Sequence, residues 1–301
     1  MKVAVTTSSF AKDSREPLNM LEARGIEYVL NPYGRALSED EAIELLAGCA
    51  GVAAGTEPLT ERVFAALPEL KAVSRCGVGM DSVDLAAAKA RGIVVKNTPD
   101  GPTRAVAELT LGLCLSLLRE IPAMDRDMRA GVWKKRMGSL LEDKKIGVIG
   151  LGRIGLATAE LFKALGAQVA YSDPMVGNHA FVRKDLDELL AWADIITVHA
   201  PPSKDGFLLG ARRLNLMRRG AWLINAARGG IVDEAALVEL LKQKHLTGAA
   251  LDVFGEEPYA GPLLEFNNVI LTPHIGSYAK EARIRMEIDT IANLLHSLGV
   301  K

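Results

Sequence analysis

One hexapeptide, Gly150-Leu151-Gly152-Arg153-Ile154-Gly155, narrows the folds open to this chain more than any other feature. It follows the apolar run Ile146-Gly147-Val148-Ile149 and opens a helical stretch that reaches about Leu165. In such a turn the first glycine permits a tight strand-to-helix reversal. The second lets a diphosphate approach the backbone, and the third lets helix and strand pack closely. The helix start then offers N–H groups and a positive dipole end to phosphate. Asp173 closes the next apolar run, Val169-Ala170-Tyr171-Ser172. A dinucleotide fold places there the acid that accepts hydrogen bonds from the adenosine ribose and repels a 2′-phosphate. Together these features predict an NAD site.

The rest of the chain fits that frame. Short β-rich runs alternate with helical runs, the pattern of an α/β fold with parallel sheets flanked by helices. Strands are expected near Lys2–Thr6, Glu27–Leu30, Gly51–Ala54, Ala72–Arg75 and Val94–Val95, with helices such as Pro17–Arg24 and Ser38–Ala47 between them. A long helix is expected from Thr103 to Leu118, with Pro102 at its start. A second series begins at Lys145 and continues through Ile195–Val198, Trp222–Asn225, Gly248–Leu251 and Val269–Leu271. Two Rossmann-like domains follow, with an active-site cleft expected between them.

Composition removes several other classes. The 301 residues carry 36 Lys and Arg against 37 Asp and Glu, so no net field draws the chain to nucleic acid or a membrane surface. Three scattered cysteines (Cys49, Cys76, Cys114) suggest reduced thiols rather than a disulfide frame, and no His/Cys cluster has metal-ligand spacing. The chain enters its first strand directly after Met1-Lys2, which leaves no room for a signal peptide, and its longest apolar stretch is too short to span a bilayer. A cytoplasmic protein is expected.

Three strand-end loops carry the candidate chemistry. Arg228 lies in Asn225-Ala226-Ala227-Arg228-Gly229-Gly230, Glu257 in Asp252-Val253-Phe254-Gly255-Glu256-Glu257-Pro258, and His274 in Thr272-Pro273-His274-Ile275-Gly276. Singly, each has an ordinary reading as a solvated charge, a surface turn or a structural histidine. Jointly they suit hydride exchange at a 2-hydroxy acid. Arginine offers a planar fork to a carboxylate. Histidine titrates where a hydroxyl proton must be moved. A carboxylate beside it orients the ring and favours its charged form.

With these stretches the chain resembles the D-isomer-specific 2-hydroxyacid dehydrogenase family, and most closely its D-3-phosphoglycerate dehydrogenase branch. The likeness extends to Arg75-Cys76-Gly77-Val78-Gly79-Met80-Asp81, Asn97-Thr98-Pro99, Ala107-Glu108-Leu109-Thr110 and Ala227–Glu234. It implies Arg228, Glu257 and His274 as the catalytic set. It implies cofactor contacts at Gly150, Gly152, Arg153, Ile154, Gly155, Asp173, Pro201, Ala226 and Asp252. It implies substrate binding by Arg75, Gly77, Val78 and Gly79, whose N–H groups would cradle a carboxylate. It further implies a flavodoxin-like substrate domain of residues 1–97 with 280–301, an NAD-binding domain of residues 98–279, and a homodimer.

The resemblance is weakest where a substrate tail is chosen. Arg75 and the run Trp133-Lys134-Lys135-Arg136 suit the phosphoglycerate branch, which makes 3-phosphoglycerate the expected substrate. Ala54 stands where that branch often carries Arg, and Pro202-Ser203-Lys204-Asp205-Gly206-Phe207 departs from the usual turn. The alternatives are reduction of another small 2-oxo acid (hydroxypyruvate, glyoxylate, a phosphono- or sulfo-analogue) and, remotely, an NADH-sensing corepressor-like binding protein. The chain stops at Lys301, so a C-terminal regulatory extension is not expected, and neither are a corepressor's disordered tails. His199 reads equally as a cofactor contact or as packing, and His179, His245 and His296 as ordinary positions.

Overall fold

A computed structural model describes residues 1–177, 180–203 and 206–300. In chain order the first elements are β1 (Lys2–Val5), α1 (Glu16–Glu22), β2 (Glu27–Leu30), α2 (Glu39–Leu46), β3 (Gly51–Ala54), α3 (Glu61–Ala66), β4 (Ala72–Arg75), α4 (Leu85–Ala90) and β5 (Val94–Asn97). Next come α5 (Gly101–Leu118), α6 (Ile121–Arg129), β6 (Lys145–Ile149), α7 (Arg153–Ala164), β7 (Gln168–Ser172), β8 (Val182–Arg183), α8 (Leu186–Trp192) and β9 (Ile195–Val198). The series closes with α9 (Ala211–Leu214), β10 (Trp222–Asn225), α10 (Glu234–Lys242), β11 (Gly248–Leu251), β12 (Val269–Leu271) and α11 (Lys280–Ser297).

The chain divides into two compact units, Met1–Pro102 with Ser277–Lys301, and Thr103–Gly276. In the first, the described strands form a parallel sheet ordered β2-β1-β3-β4-β5. Alternate residues feed opposite faces, as a pleated strand requires. Ala4, Val52 and Ala54 enter one core with Leu46, Leu59 and Phe64. Val3, Val5 and Ala53 enter the other with Leu21, Ile291 and Leu294, so α11 covers the second face. Local signals set the helix starts. Ser38 and Glu41 form a reciprocal capping box on α2, and Asp84 caps α4.

In the second unit the described strands form a parallel sheet ordered β12-β11-β10-β9-β6-β7-β8. Counted within the unit this is the dinucleotide-binding order, three strands out and then a reversal between β6 and β9, with one further strand at the far edge. Both faces are covered. Ile196, Leu223 and Leu251 join one core with Leu189 and Leu237, while Ile195, Ile224 and Ala250 join the other with Leu113, Leu117 and Phe162. The short β8 was not foreseen. Both its residues are exposed, so no apolar alternation marks it in sequence. No helix among the described residues is long and apolar enough to cross a membrane.

Candidate active site

The glycine turn sits where the second sheet reverses its strand order. Gly150 adopts φ +87°, and a Cβ there would press on the His199 carbonyl at the end of β9, 2.7 Å away. A Cβ on Gly155 would overlap the Gly150 carbonyl oxygen. Those two glycines are therefore demanded by the chain itself. Gly152 is different. It has an ordinary extended conformation, and no protein atom beyond its own neighbours in the chain lies within 4 Å of where its Cβ would be. Its missing side chain leaves room for something other than protein, directly over the start of α7, which no side chain caps. That combination fits a diphosphate.

Arg153 is exposed, Ile154 half-buried, Pro201 exposed and Ala226 buried. Asp173 does more than its sequence position suggests. Its Oδ2 accepts from Leu151 N–H at 2.7 Å, inside the glycine turn, and its Oδ1 accepts from Met175 and Val176 N–H. The carboxylate therefore ties the end of β7 to the turn.

The three candidate catalytic residues all belong to this unit. His274 Nδ1 lies 2.9 Å from Glu257 Oε2, with the two side chains 49% and 37% exposed. Glu257 Oε1 accepts from Phe254 N–H at 3.1 Å, so the carboxylate is anchored before it meets the ring. The preceding loop is braced by stacked Phe254 and Tyr259 rings and by Glu234, which accepts from Gly255 N–H at 2.7 Å. The Nδ1 contact leaves Nε2 as the ring nitrogen for proton transfer.

Asp252 holds the histidine loop. It is 0% exposed. Its Oδ1 accepts from the Thr272 hydroxyl at 2.6 Å and from Ile275 N–H at 2.8 Å, and its Oδ2 from Gly276 N–H at 2.8 Å. Burial pushes its pKa up, against the hydrogen bond from Thr272 and the other bonds to the loop. Expected from the resemblance as a cofactor contact, in this structure it grips both sides of His274.

Arg228 is half-buried, and its Nη1 donates to the Ala227 carbonyl at 2.7 Å. Buried Asn225 shapes its turn, accepting from Ala227 N–H and donating to the Arg228 carbonyl. A Cβ on Gly229 would overlap the Phe254 carbonyl, so the arginine and glutamate loops touch there. Asn225 and Glu234 are positioning groups that sequence reasoning did not assign, and Asp252 was assigned only as a cofactor contact. Their only signal is a polar residue at a strand end or helix start.

His199 is packed below the glycine turn. Its Nε2 lies 2.9 Å from the Thr197 hydroxyl, its Nδ1 is buried without a partner, and burial lowers its pKa to about 4. His245 Nε2 contacts the Met217 carbonyl, and His179 lies outside the described residues. So do Lys204 and Asp205 of the unusual turn.

In the first unit, Arg75 ends β4, and its guanidinium donates to the Cys76 carbonyl and lies over Gly77. The Gly77 N–H bonds to the Thr98 hydroxyl at 2.8 Å, and Asn97 donates to the Val78 carbonyl. The Gly77 N–H is thus engaged within the loop itself. In the basic run, Trp133 is 79% exposed, and Arg136 is paired with Asp127 at 2.8 Å and with Glu120 at 3.4 Å.

Residues 111–276 match the family model described as D-isomer specific 2-hydroxyacid dehydrogenase, NAD binding domain. A D-3-phosphoglycerate dehydrogenase of Archaeoglobus fulgidus is 38% identical over 302 residues, covering 96% of this chain and 57% of that protein. The chain thus spans little more than half of that relative's length. A glyoxylate reductase of Thermofilum pendens is 41% identical over 257 residues, covering 80% of this chain and 75% of that protein. A crystal structure of a Thermus thermophilus protein is 36% identical and superposes with a TM-score of 0.94, covering 100% of this chain and 98% of the other. The chain belongs to the D-isomer specific 2-hydroxyacid dehydrogenase family.

Proposed function

We propose that this protein is an NAD-dependent oxidoreductase that interconverts a small D-2-hydroxy acid and its 2-oxo acid. The observation that carries the reading is the Glu257–His274 contact of 2.9 Å on a loop pinned by Asp252, in the same unit as the glycine turn. Nicotinamide, when bound, supplies the hydride acceptor or donor. In the reductive direction His274 Nε2 gives a proton to the carbonyl oxygen, and in the oxidative direction it takes the hydroxyl proton. Glu257 holds the ring through Nδ1. Arg228 binds the substrate carboxylate and polarises the carbonyl. The first unit offers the Val78 and Gly79 amides as donors to a carboxylate. Gly152 to Gly155 seat the diphosphate, and Asp173 favours NAD over its 2′-phosphorylated form.

Two substrate readings have support. The name of the Archaeoglobus relative favours 3-phosphoglycerate, oxidised to 3-phosphohydroxypyruvate. The arrangement of cations favours an unphosphorylated acid such as hydroxypyruvate or glyoxylate. Arg136 is engaged by two carboxylates, and Arg75 donates to the Cys76 carbonyl just beyond its strand. The name of the Thermofilum relative accords with this second reading. The test is a panel of 2-oxo acids with NADH and the purified chain. NADH-dependent turnover giving the D-hydroxy acid is expected. An L product, or NADH binding without turnover of any acid, would overturn the reading.

A further inference from the structure

Glu257 stands on an exposed loop. Gly255, Glu256, Glu257 and Pro258 are all exposed, while Phe254 just before them is buried. Such loops move more than the elements they join, yet this one must hold a carboxylate 2.9 Å from a ring nitrogen. It is held from outside, by the segment that follows Arg228.

That segment is firmly seated. Ile231 and Val232 are buried. Leu209 N–H donates to the Ile231 carbonyl at 2.9 Å, and Asp233 N–H donates to the Leu209 carbonyl at 3.1 Å. Asp233 then caps α10, accepting from Ala236 N–H at 3.1 Å. Glu234 is the first residue of α10, so its backbone is fixed by these bonds. Its Oε1 accepts from Gly255 N–H at 2.7 Å. At the other end of the segment, a Cβ on Gly229 would overlap the Phe254 carbonyl and stand 3.0 Å from Gly255 N. The peptide unit between Phe254 and Gly255 is therefore gripped twice, by Gly229 against its carbonyl and by Glu234 on its N–H. Phe254 in turn donates its own N–H to Glu257 Oε1 at 3.1 Å.

We propose that Glu234 sets the working distance between Glu257 and His274, by locking the glutamate loop to the arginine loop. This rests on the dehydrogenase reading given above. Glu234 acts through Glu257 and is a positioning residue. The clamp keeps the group that binds the substrate carboxylate in register with the pair that moves the proton. It requires an accepting oxygen at the reach of a glutamate, and it does not require the charge. Because the loop is exposed, water replaces a lost acceptor, and the cost falls on geometry rather than on folding.

The test measures kcat, KM and NADH affinity for wild type, Glu234→Gln, Glu234→Asp and Glu234→Ala, with the 2-oxo acid that wild type reduces fastest. Glu234→Gln keeps the accepting oxygen at the same reach and should hold kcat within about twofold of wild type. Glu234→Asp keeps a charge at the helix start but is one methylene short, and Glu234→Ala has no acceptor. In both, kcat should fall about tenfold while NADH affinity is unchanged. In a Glu257→Ala background, Glu234→Ala should cost less than about twofold more, because the group that it positions is gone. Glu234→Asp matching wild type while Glu234→Gln is impaired would assign the effect to helix-start charge and overturn the proposal. So would an undiminished kcat in Glu234→Ala, a parallel loss of NADH affinity, or the full loss repeated in the Glu257→Ala background. The contrast between the Gln and Asp variants decides the matter even if Glu234→Ala fails to fold. Failure of wild type to reduce any 2-oxo acid overturns the dehydrogenase reading, and this proposal with it.

Discussion

His274 adopts φ +54°, a left-handed conformation that is unusual for a residue with a Cβ. The conformation is over-determined by its surroundings. Its own N–H bonds to the Thr272 carbonyl, and Asp252 takes hydrogen bonds from Thr272 and from the two residues that follow the histidine. Removing one acceptor should therefore move the ring without abolishing it. Asp252→Asn places an amide N–H₂ where a backbone N–H needs an acceptor. Its kcat is expected to fall about 10²-fold, the scale of a small displacement at a reacting centre, in a protein that still melts cooperatively. A kcat within a factor of about two of wild type would remove Asp252 from the positioning role. The proposed trio could be singled out in sequence because each member stands in a loop at a strand end. Asp252's grip on the loop was not, because its partners are a hydroxyl and backbone amides twenty or more residues away. The burial of Glu57 was missed for the same reason. Ahead of a proline in a loop it reads as a surface acid, yet it is 1% exposed and its carboxylate accepts from the Thr6 hydroxyl.

At the scale of elements, the strand–turn–helix at β6 and α7 separates two uses of glycine. Gly155→Ala would drive a methyl into the Gly150 carbonyl and should destabilise the protein by about 1–3 kcal/mol, read as a lower Tm. Gly152→Ala meets open space. Its stability should stay within about 0.5 kcal/mol of wild type, while NADH affinity falls about tenfold or more. Equal effects of the two substitutions on Tm would contradict the assignment of Gly152 to ligand space. The end of β9 carries a second prediction. His199 titrates near 4 when folded, against an ordinary value near 6.5. Between those values the unfolded chain binds more protons than the folded one, so stability is lost as pH falls from about 6.5 toward 4. The shift corresponds to about 3 kcal/mol. A His199→Asn variant should show a correspondingly flatter loss of Tm over that range, and parallel curves would mean that the folded histidine titrates normally. The glycine turn was plain in sequence because its logic is local. The place of His199 was left open between packing and cofactor contact, and that depended on which strand came to lie beside β6.

At the scale of the whole molecule, both sheets bury a titratable side chain where their strand order reverses: Glu57 beyond β1 and β3, His199 beyond β6 and β9. Parallel α/β architecture was readable from alternating runs, since buried parallel strands are continuously apolar. The exposed β8 and the polar α6 were not singled out, because neither is a continuous apolar run of that kind. The account rests at its centre on proton transfer by His274. The direct measurement is single-turnover oxidation of bound NADH by a 2-oxo acid, in wild type and in His274→Gln, with NADH affinity measured alongside. The rate is expected to fall about 10²–10⁴-fold while NADH affinity is unchanged. Retention of the rate within about tenfold, with NADH bound as in wild type, would contradict the assignment of His274 as the group that moves the proton.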